Sequence, residues 1–146
     1  MISKAQIKYI RSLQHKKYRQ KFSQFTAEGD KLVEELLQQS RVRLNGIYGT
    51  ERWLEAHKSL MEKYPGLTAD TVSREELALL SGLSAPHEVL AVCEMPAPEA
   101  APAPEGRVSL LLEGIQDPGN MGTLLRIADW FGIEYVICSP GCADIY

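Results

Sequence analysis

Cysteine is scarce in this chain: three residues in 146, at Cys93, Cys138 and Cys142. An odd number cannot pair off, and Cys138 and Cys142 have no further Cys or His close by to complete a zinc site. The three read as buried or incidental thiols of a reducing cytosol, and no metal site is expected. No apolar run approaches the ~18 residues of a membrane span. The opening Met1-Ile-Ser-Lys4 lacks the apolar stretch of a secretory signal. A cytoplasmic protein without a membrane partner is therefore expected. Phosphate-cradling glycine loops are missing as well. Gly114-Ile-Gln-Asp-Pro-Gly-Asn120 does not fit GxGxxG and no GxxxxGK[ST] occurs, which disfavours dinucleotide-binding and P-loop enzymes. Ser109 and Ser139 have no positioned His, so a hydrolase triad has no support.

One further absence is local. Residues 1–25 hold Lys4, Lys8, Arg11, Lys16, Lys17, Arg19 and Lys21 but no Asp or Glu, whereas residues 44–146 carry 6 basic and 15 acidic side chains. The net charge of −3 conceals this asymmetry. A basic arm on an acidic body suits a polyanionic partner, although a merely solvated basic helix has the same composition. The segment Gln14-His-Lys-Lys-Tyr-Arg-Gln-Lys-Phe22 interleaves cations with Tyr18 and Phe22. That mixture suits RNA, where phosphates take the cations and unstacked bases take the rings; both aromatics could equally be core.

Local patterns set out an α/β chain. Ser3 and Gln6 form a capping-box pair, and Ile7, Ile10 and Leu13 then recur at helical spacing, predicting a helix over 4–14. Residues 25–30 read as a turn into a second helix whose apolar stripe is Leu32, Val33, Leu36 and Leu37. A strand is expected over 44–48. Thr50 caps a helix whose buried side runs from Trp53 to Tyr64 and which ends at Pro65-Gly66. His57 within it reads as a boundary or surface histidine. Another strand is expected over 68–72. Ser73 and Glu76 open a short helix through Leu80, and Val89–Cys93 has the length and apolarity of a buried strand. Together these predict an α/β/α sandwich over roughly 20–94.

The stretch from Met95 to Glu105 has four prolines and no hydrophobe larger than Ala after Met95. Such a composition favours an extended, semi-rigid spacer. The expected organisation is a first domain over 1–94, a linker over 95–106 and a second region over 107–146. In that region Val108–Leu112 and Tyr135–Cys138 read as parallel strands joined by a helix over 121–131 that stops at Gly132, a right-handed unit. Two strands and one helix do not complete a parallel sheet. More chain beyond Tyr146, or a partner, is expected to cover it.

The turn before this helix holds Asp117-Pro-Gly-Asn120, where α/β proteins place ligands. Asn120 stands where an N-cap belongs. Arg126 sits among Leu124, Leu125, Ile127 and Ala128, and an arginine in such company usually has a fixed partner. Glu113, Asp117 or an external phosphate would serve.

The run from Leu112 to Gly132 resembles the first motif of the SpoU/TrmH RNA 2′-O-ribose methyltransferases of the SPOUT superfamily. Asn120, Gly122, Arg126, Ala128 and Phe131-Gly132 match that motif. Upstream, Lys17-Tyr-Arg19, Phe25-Thr-Ala-Glu-Gly29 and Val89-Leu-Ala-Val92 resemble the family's substrate-binding domain, whose fold is shared with an RNA-binding ribosomal protein. The resemblance implies methyl transfer from S-adenosylmethionine to a ribose 2′-hydroxyl of rRNA or tRNA. Arg126 and Asn120 are then the catalytic pair, Lys16, Lys17, Arg19 and Lys21 the RNA-binding cations, and the full-length protein a homodimer. A guanidinium is a poor base, with a pKa above ~12. Its implied role is to polarise the hydroxyl and hold the adjacent phosphate, with proton transfer left open.

Two departures qualify the match. The second and third family motifs, which build the S-adenosylmethionine pocket in a knotted segment, do not occur in these residues. Pro86-His-Glu88 also stands where relatives often carry Gln-Gly after the proline. The expectation is an inactive fragment whose gene continues for roughly another hundred residues. The alternative is a non-catalytic RNA-binding module that keeps motif one as scaffold.

Overall fold

The computed structural model describes residues 2–38, 42–97 and 105–146. They divide into two units, Met1–Ala97 and Pro98–Tyr146. Residues 98–104 of the expected linker lie outside the described residues.

The first unit runs α1 (Lys4–Ser12), α2 (Lys16–Phe22), β1 (Gln24–Glu28), α3 (Asp30–Gln38), β2 (Leu44–Gly49), α4 (Glu51–Ala56), α5 (Lys58–Met61), β3 (Thr68–Thr71), α6 (Arg74–Leu80) and β4 (Val89–Glu94). Its four strands are ordered β1-β4-β2-β3. β4 is antiparallel to both neighbours, whereas β2 and β3 are parallel. Side chains alternate across a strand, so β4, between two others, must be apolar on both faces. Val89, Ala91 and Cys93 join Ile47, Val33 and Trp53 in one core. Leu90 and Val92 join Ile10, Leu13, Leu77 and Leu80 in the other. The predicted α/β/α sandwich is what forms. Burial pushes the Cys93 thiol up to about 12, so it is an inert packing group.

Three local expectations are realised. Ser3 and Gln6 form a capping box at α1, Ser73 and Glu76 form another at α6, and Thr50 Oγ1 accepts the Trp53 N–H at 3.3 Å. Glu76 also accepts the Ile2 N–H at 3.0 Å, which ties the chain start to α6. These main-chain donors hold its carboxyl below the usual carboxylate range.

Two expectations are corrected. Residues 24–28, read in part as a turn, form β1 and pair along their length with β4. The turn follows at Gly29, where φ is +118° and only glycine is unstrained. The helix expected from Thr50 to Tyr64 breaks at His57 (φ −110°, ψ 10°) into α4 and α5. The His57 ring stacks on Trp53 at 4.0 Å, and its Nδ1 lies 2.8 Å from the Trp53 carbonyl. It is a packing histidine.

The second unit contains β5 (Ser109–Leu112), α7 (Pro118–Trp130) and β6 (Tyr135–Cys138). The strands pair in parallel, Leu110 opposite Val136 and Leu112 opposite Cys138. Leu112, Met121 and Ala128 are buried. Leu111 and Ile137 lie opposite each other on the other face and are 72% and 51% exposed.

Candidate functional site

The loop after β5 leads into α7, and the loop after β6 is fastened to it. Ser139 Oγ accepts the Gly114 N–H at 3.2 Å, Cys142 Sγ donates to the Leu112 carbonyl at 3.3 Å, and the Ala143 N–H donates to the Ile115 carbonyl at 2.6 Å. Both loops lie beyond the carboxyl ends of parallel strands, where open α/β sheets bind their ligands.

Asp117, not Asn120, caps α7. Its carboxylate accepts the Asn120 N–H at 2.7 Å, and Pro118 takes the first helical position, where it loses no hydrogen bond. The Asn120 side chain, which the capping reading would have occupied, is exposed at the third helical position. Arg126 is exposed as well. Side chains on a helix lean toward its N-terminus, and Arg126 Nη2 reaches back one turn to donate to Thr123 Oγ1 at 3.3 Å. Thr123 Oγ1 in turn donates to the Gly119 carbonyl at 2.9 Å. A Cβ at position 122 would lie 3.9 Å from Arg126 Nη1. Among the described residues, neither Glu113 nor Asp117 pairs with Arg126. The structure thus leaves the rest of the guanidinium exposed on α7, the helix that also carries Asn120. Thr123, which orients the arginine, has no distinguishing sequence signature.

The N-terminal cations sit on α1 and α2. Lys16, Lys17 and Lys21 are exposed. Arg19 is engaged within the chain. Its Nη1 donates to the Leu13 carbonyl at 3.1 Å and the Gln14 carbonyl at 2.9 Å, closing the turn between the two helices. α1 is no loose arm, because Ile10 and Leu13 are fully buried. Among the described residues no group of three or more His, Cys, Asp or Glu could hold a metal ion, and no helix is long and apolar enough to cross a membrane.

Residues 4–91 match the family model of the MRM3-like substrate binding domain. The chain belongs to this family of the SpoU/TrmH RNA methyltransferases. The 23S rRNA (guanosine(2553)-2′-O)-methyltransferase RlmP of Bacillus subtilis is 31% identical over 140 residues, covering 96% of this chain and 53% of that protein. A TrmH-family protein from Porphyromonas gingivalis superposes with a TM-score of 0.81 at 39% identity, over 100% of this chain and 55% of that one. An AdoMet-bound rRNA methyltransferase from Sinorhizobium meliloti superposes with a TM-score of 0.79 at 26% identity, over 99% and 54%. The chain therefore spans about half the length of the relatives it matches.

A cavity of about 410 Å³ in the second unit is lined by Arg107, Val108 and Phe131–Glu134. These residues precede the strands, at the end opposite the motif-one loop. The candidate site is the motif-one loop and the start of α7, with Asn120 and Arg126.

Proposed function

We propose that this chain is the substrate-side half of an S-adenosylmethionine-dependent RNA 2′-O-ribose methyltransferase acting on rRNA or tRNA. The first unit binds RNA through Lys16, Lys17 and Lys21, with Arg19 as the residue that positions α2. The second unit brings Asn120 and Arg126 to the ribose. In this reading the longer enzyme is a cytoplasmic homodimer. Residues 1–94 serve as the substrate-binding domain, 95–106 as the linker, and 107–146 as the opening of the catalytic domain.

The observation that carries the reading is Arg126, exposed in a family-matching motif with no carboxylate neutralising it among the described residues. A guanidinium so placed offers paired donors to a phosphate and to the hydroxyl beside it. Polarising that hydroxyl helps its proton to leave, and fixing the phosphate aligns the oxygen for attack. Bound S-adenosylmethionine would supply the electrophilic methyl group and the leaving group. In this reading residues 1–146 alone are inactive.

Calorimetry with S-adenosylmethionine on residues 1–146 and on a longer product of the same gene tests this assignment. The longer protein binds and the short one does not. Binding to neither rules out the enzyme and leaves the RNA-binding module.

A further inference from the structure

α1 and α2 enclose a cleft of about 500 Å³, lined among others by Lys8, Tyr9, Arg11, His15, Tyr18 and Phe22. Its volume is in the range of small-ligand sites. Lys8 and Arg11 were not among the cations singled out in the sequence as RNA ligands, yet both line the cleft.

The aromatic side is ordered. Tyr18 and Phe22, one helical turn apart, hold their rings within 15° of parallel with centroids 6.4 Å apart. Tyr9 meets Phe22 edge-on at 5.3 Å, and the Tyr9 hydroxyl is hydrogen-bonded to Gln24 on β1. His15 sits edge-on to Tyr18 at 6.5 Å. Tyr18 and Phe22 remain 37% and 39% exposed, so their ring faces are accessible to a ligand. Arg19, bonded to the carbonyls of the α1–α2 turn, sets the separation of the two walls.

The charge around the cleft is of one sign. Residues 1–25 contain seven Lys and Arg and no carboxylate. An apolar peptide gains nothing from such a rim, whereas a polyanion does. The ligand must present a flat apolar surface and negative charge within one side chain's reach of each other. An unstacked nucleotide does so.

We infer that the α1–α2 cleft takes one unstacked nucleobase of the RNA, stacked against Tyr18 and Phe22, while Lys8 and Arg11 hold the flanking phosphates. The inference rests on the reading of the first unit as RNA-binding and makes it specific. The unit selects single-stranded or bulged RNA over continuous duplex. Within a duplex the base stays in its stack and only the phosphate contacts remain.

The test uses residues 1–146 and a 12-nucleotide oligoribonucleotide with one central 2-aminopurine, single-stranded or annealed to its complement. Stacking on an aromatic ring quenches this base. The single strand should bind more tightly than the duplex and lose fluorescence on binding. Tyr18→Leu with Phe22→Leu keeps apolar volume but removes both rings. It should weaken single-strand binding about 5- to 100-fold, abolish the quench and leave duplex binding unchanged. Lys8→Gln with Arg11→Gln should flatten the salt dependence of log K by about 1.4, at ~0.7 per phosphate contact. Circular dichroism confirms that each variant folds. Tight single-strand binding by the leucine variant with its quench intact overturns the cleft but leaves the RNA reading standing. If the wild-type chain binds neither oligonucleotide, both are overturned. A doubled mass in light scattering that the leucine variant halves, without a change in RNA affinity, assigns the cleft to a second copy and overturns the inference.

Discussion

In the first unit both faces of the sheet carry helices, and β4 alone supplies five buried residues. In the second unit one helix covers one face of two four-residue strands. Trp130 and Phe131, at the end of α7, are 83% and 73% exposed. The sheets use the same apolar residue types, yet only one buries them on both sides. A two-stranded sheet is marginal in water, and three or more strands, or further packing, are needed for independent stability. The first unit thus closes its own core. Among the described residues the second leaves one face of its sheet open.

Matched truncations should expose this difference most strongly. Leu90→Ala in β4 removes a fully buried side chain and should lower unfolding free energy by about 2–5 kcal/mol in urea titrations. Leu111→Ala in β5 removes one that is mostly exposed and should change it by less than ~0.5 kcal/mol. A large loss at Leu111 would mean that this face is already covered.

Among the cations, Arg19→Ala should destabilise the first unit by about 1.5–3 kcal/mol, because two main-chain carbonyls lose a charged donor. Lys17→Ala should leave stability within ~0.5 kcal/mol and weaken RNA binding alone. Equal destabilisation by both would refute the division between the residue that sets the helices and those left for RNA.

Caps give a smaller contrast. Ser73→Ala removes the α6 cap and should lower global stability by ~1 kcal/mol. Asp117→Ala removes the α7 cap. Its effect should appear as faster amide exchange at the start of α7, with little change in the main unfolding transition.

Glu88 supplies a pH test confined to the first unit. Arg52 Nη2 and Arg74 Nη2 approach its carboxylate at 2.8 and 2.6 Å and hold its pKa below the usual carboxylate range. A depressed folded-state pKa contributes stability that is present above the unfolded value and lost as pH falls through the folded one. Both arginines are exposed, so the effect is small and screened by salt. Arg52→Gln with Arg74→Gln should flatten the acid-side decline of melting temperature. An unchanged acid limb would remove Glu88 from the account.

Features that act over three or four residues were legible in the sequence. Both capping boxes, the Thr50 cap and the stop at Gly132 are of this kind. So was β4, since a strand buried on two faces has to be apolar throughout. β1 was missed because Gln24–Glu28 shows little alternation and becomes a strand only by pairing with β4, more than sixty residues away. The break at His57 depends on stacking against Trp53, which periodicity does not encode. At the start of α7, Asp117 and Asn120 were both competent caps. The following Pro118 favours Asp117, because proline suits the first helical position. Arg19 looked like its neighbouring cations, and its partners are carbonyls that any sequence would offer.

The central claim is that Arg126 acts on a ribose of an RNA substrate. Transfer of labelled methyl groups from S-adenosylmethionine to ribosomal RNA, by the full-length product of this gene, measures it directly. The account predicts a label that protects the adjacent phosphodiester from alkaline cleavage. It also predicts a loss of about 10²-fold or more in kcat for Arg126→Ala, with RNA affinity largely retained. Label on a base, or an undiminished rate in the Arg126→Ala enzyme, would contradict it.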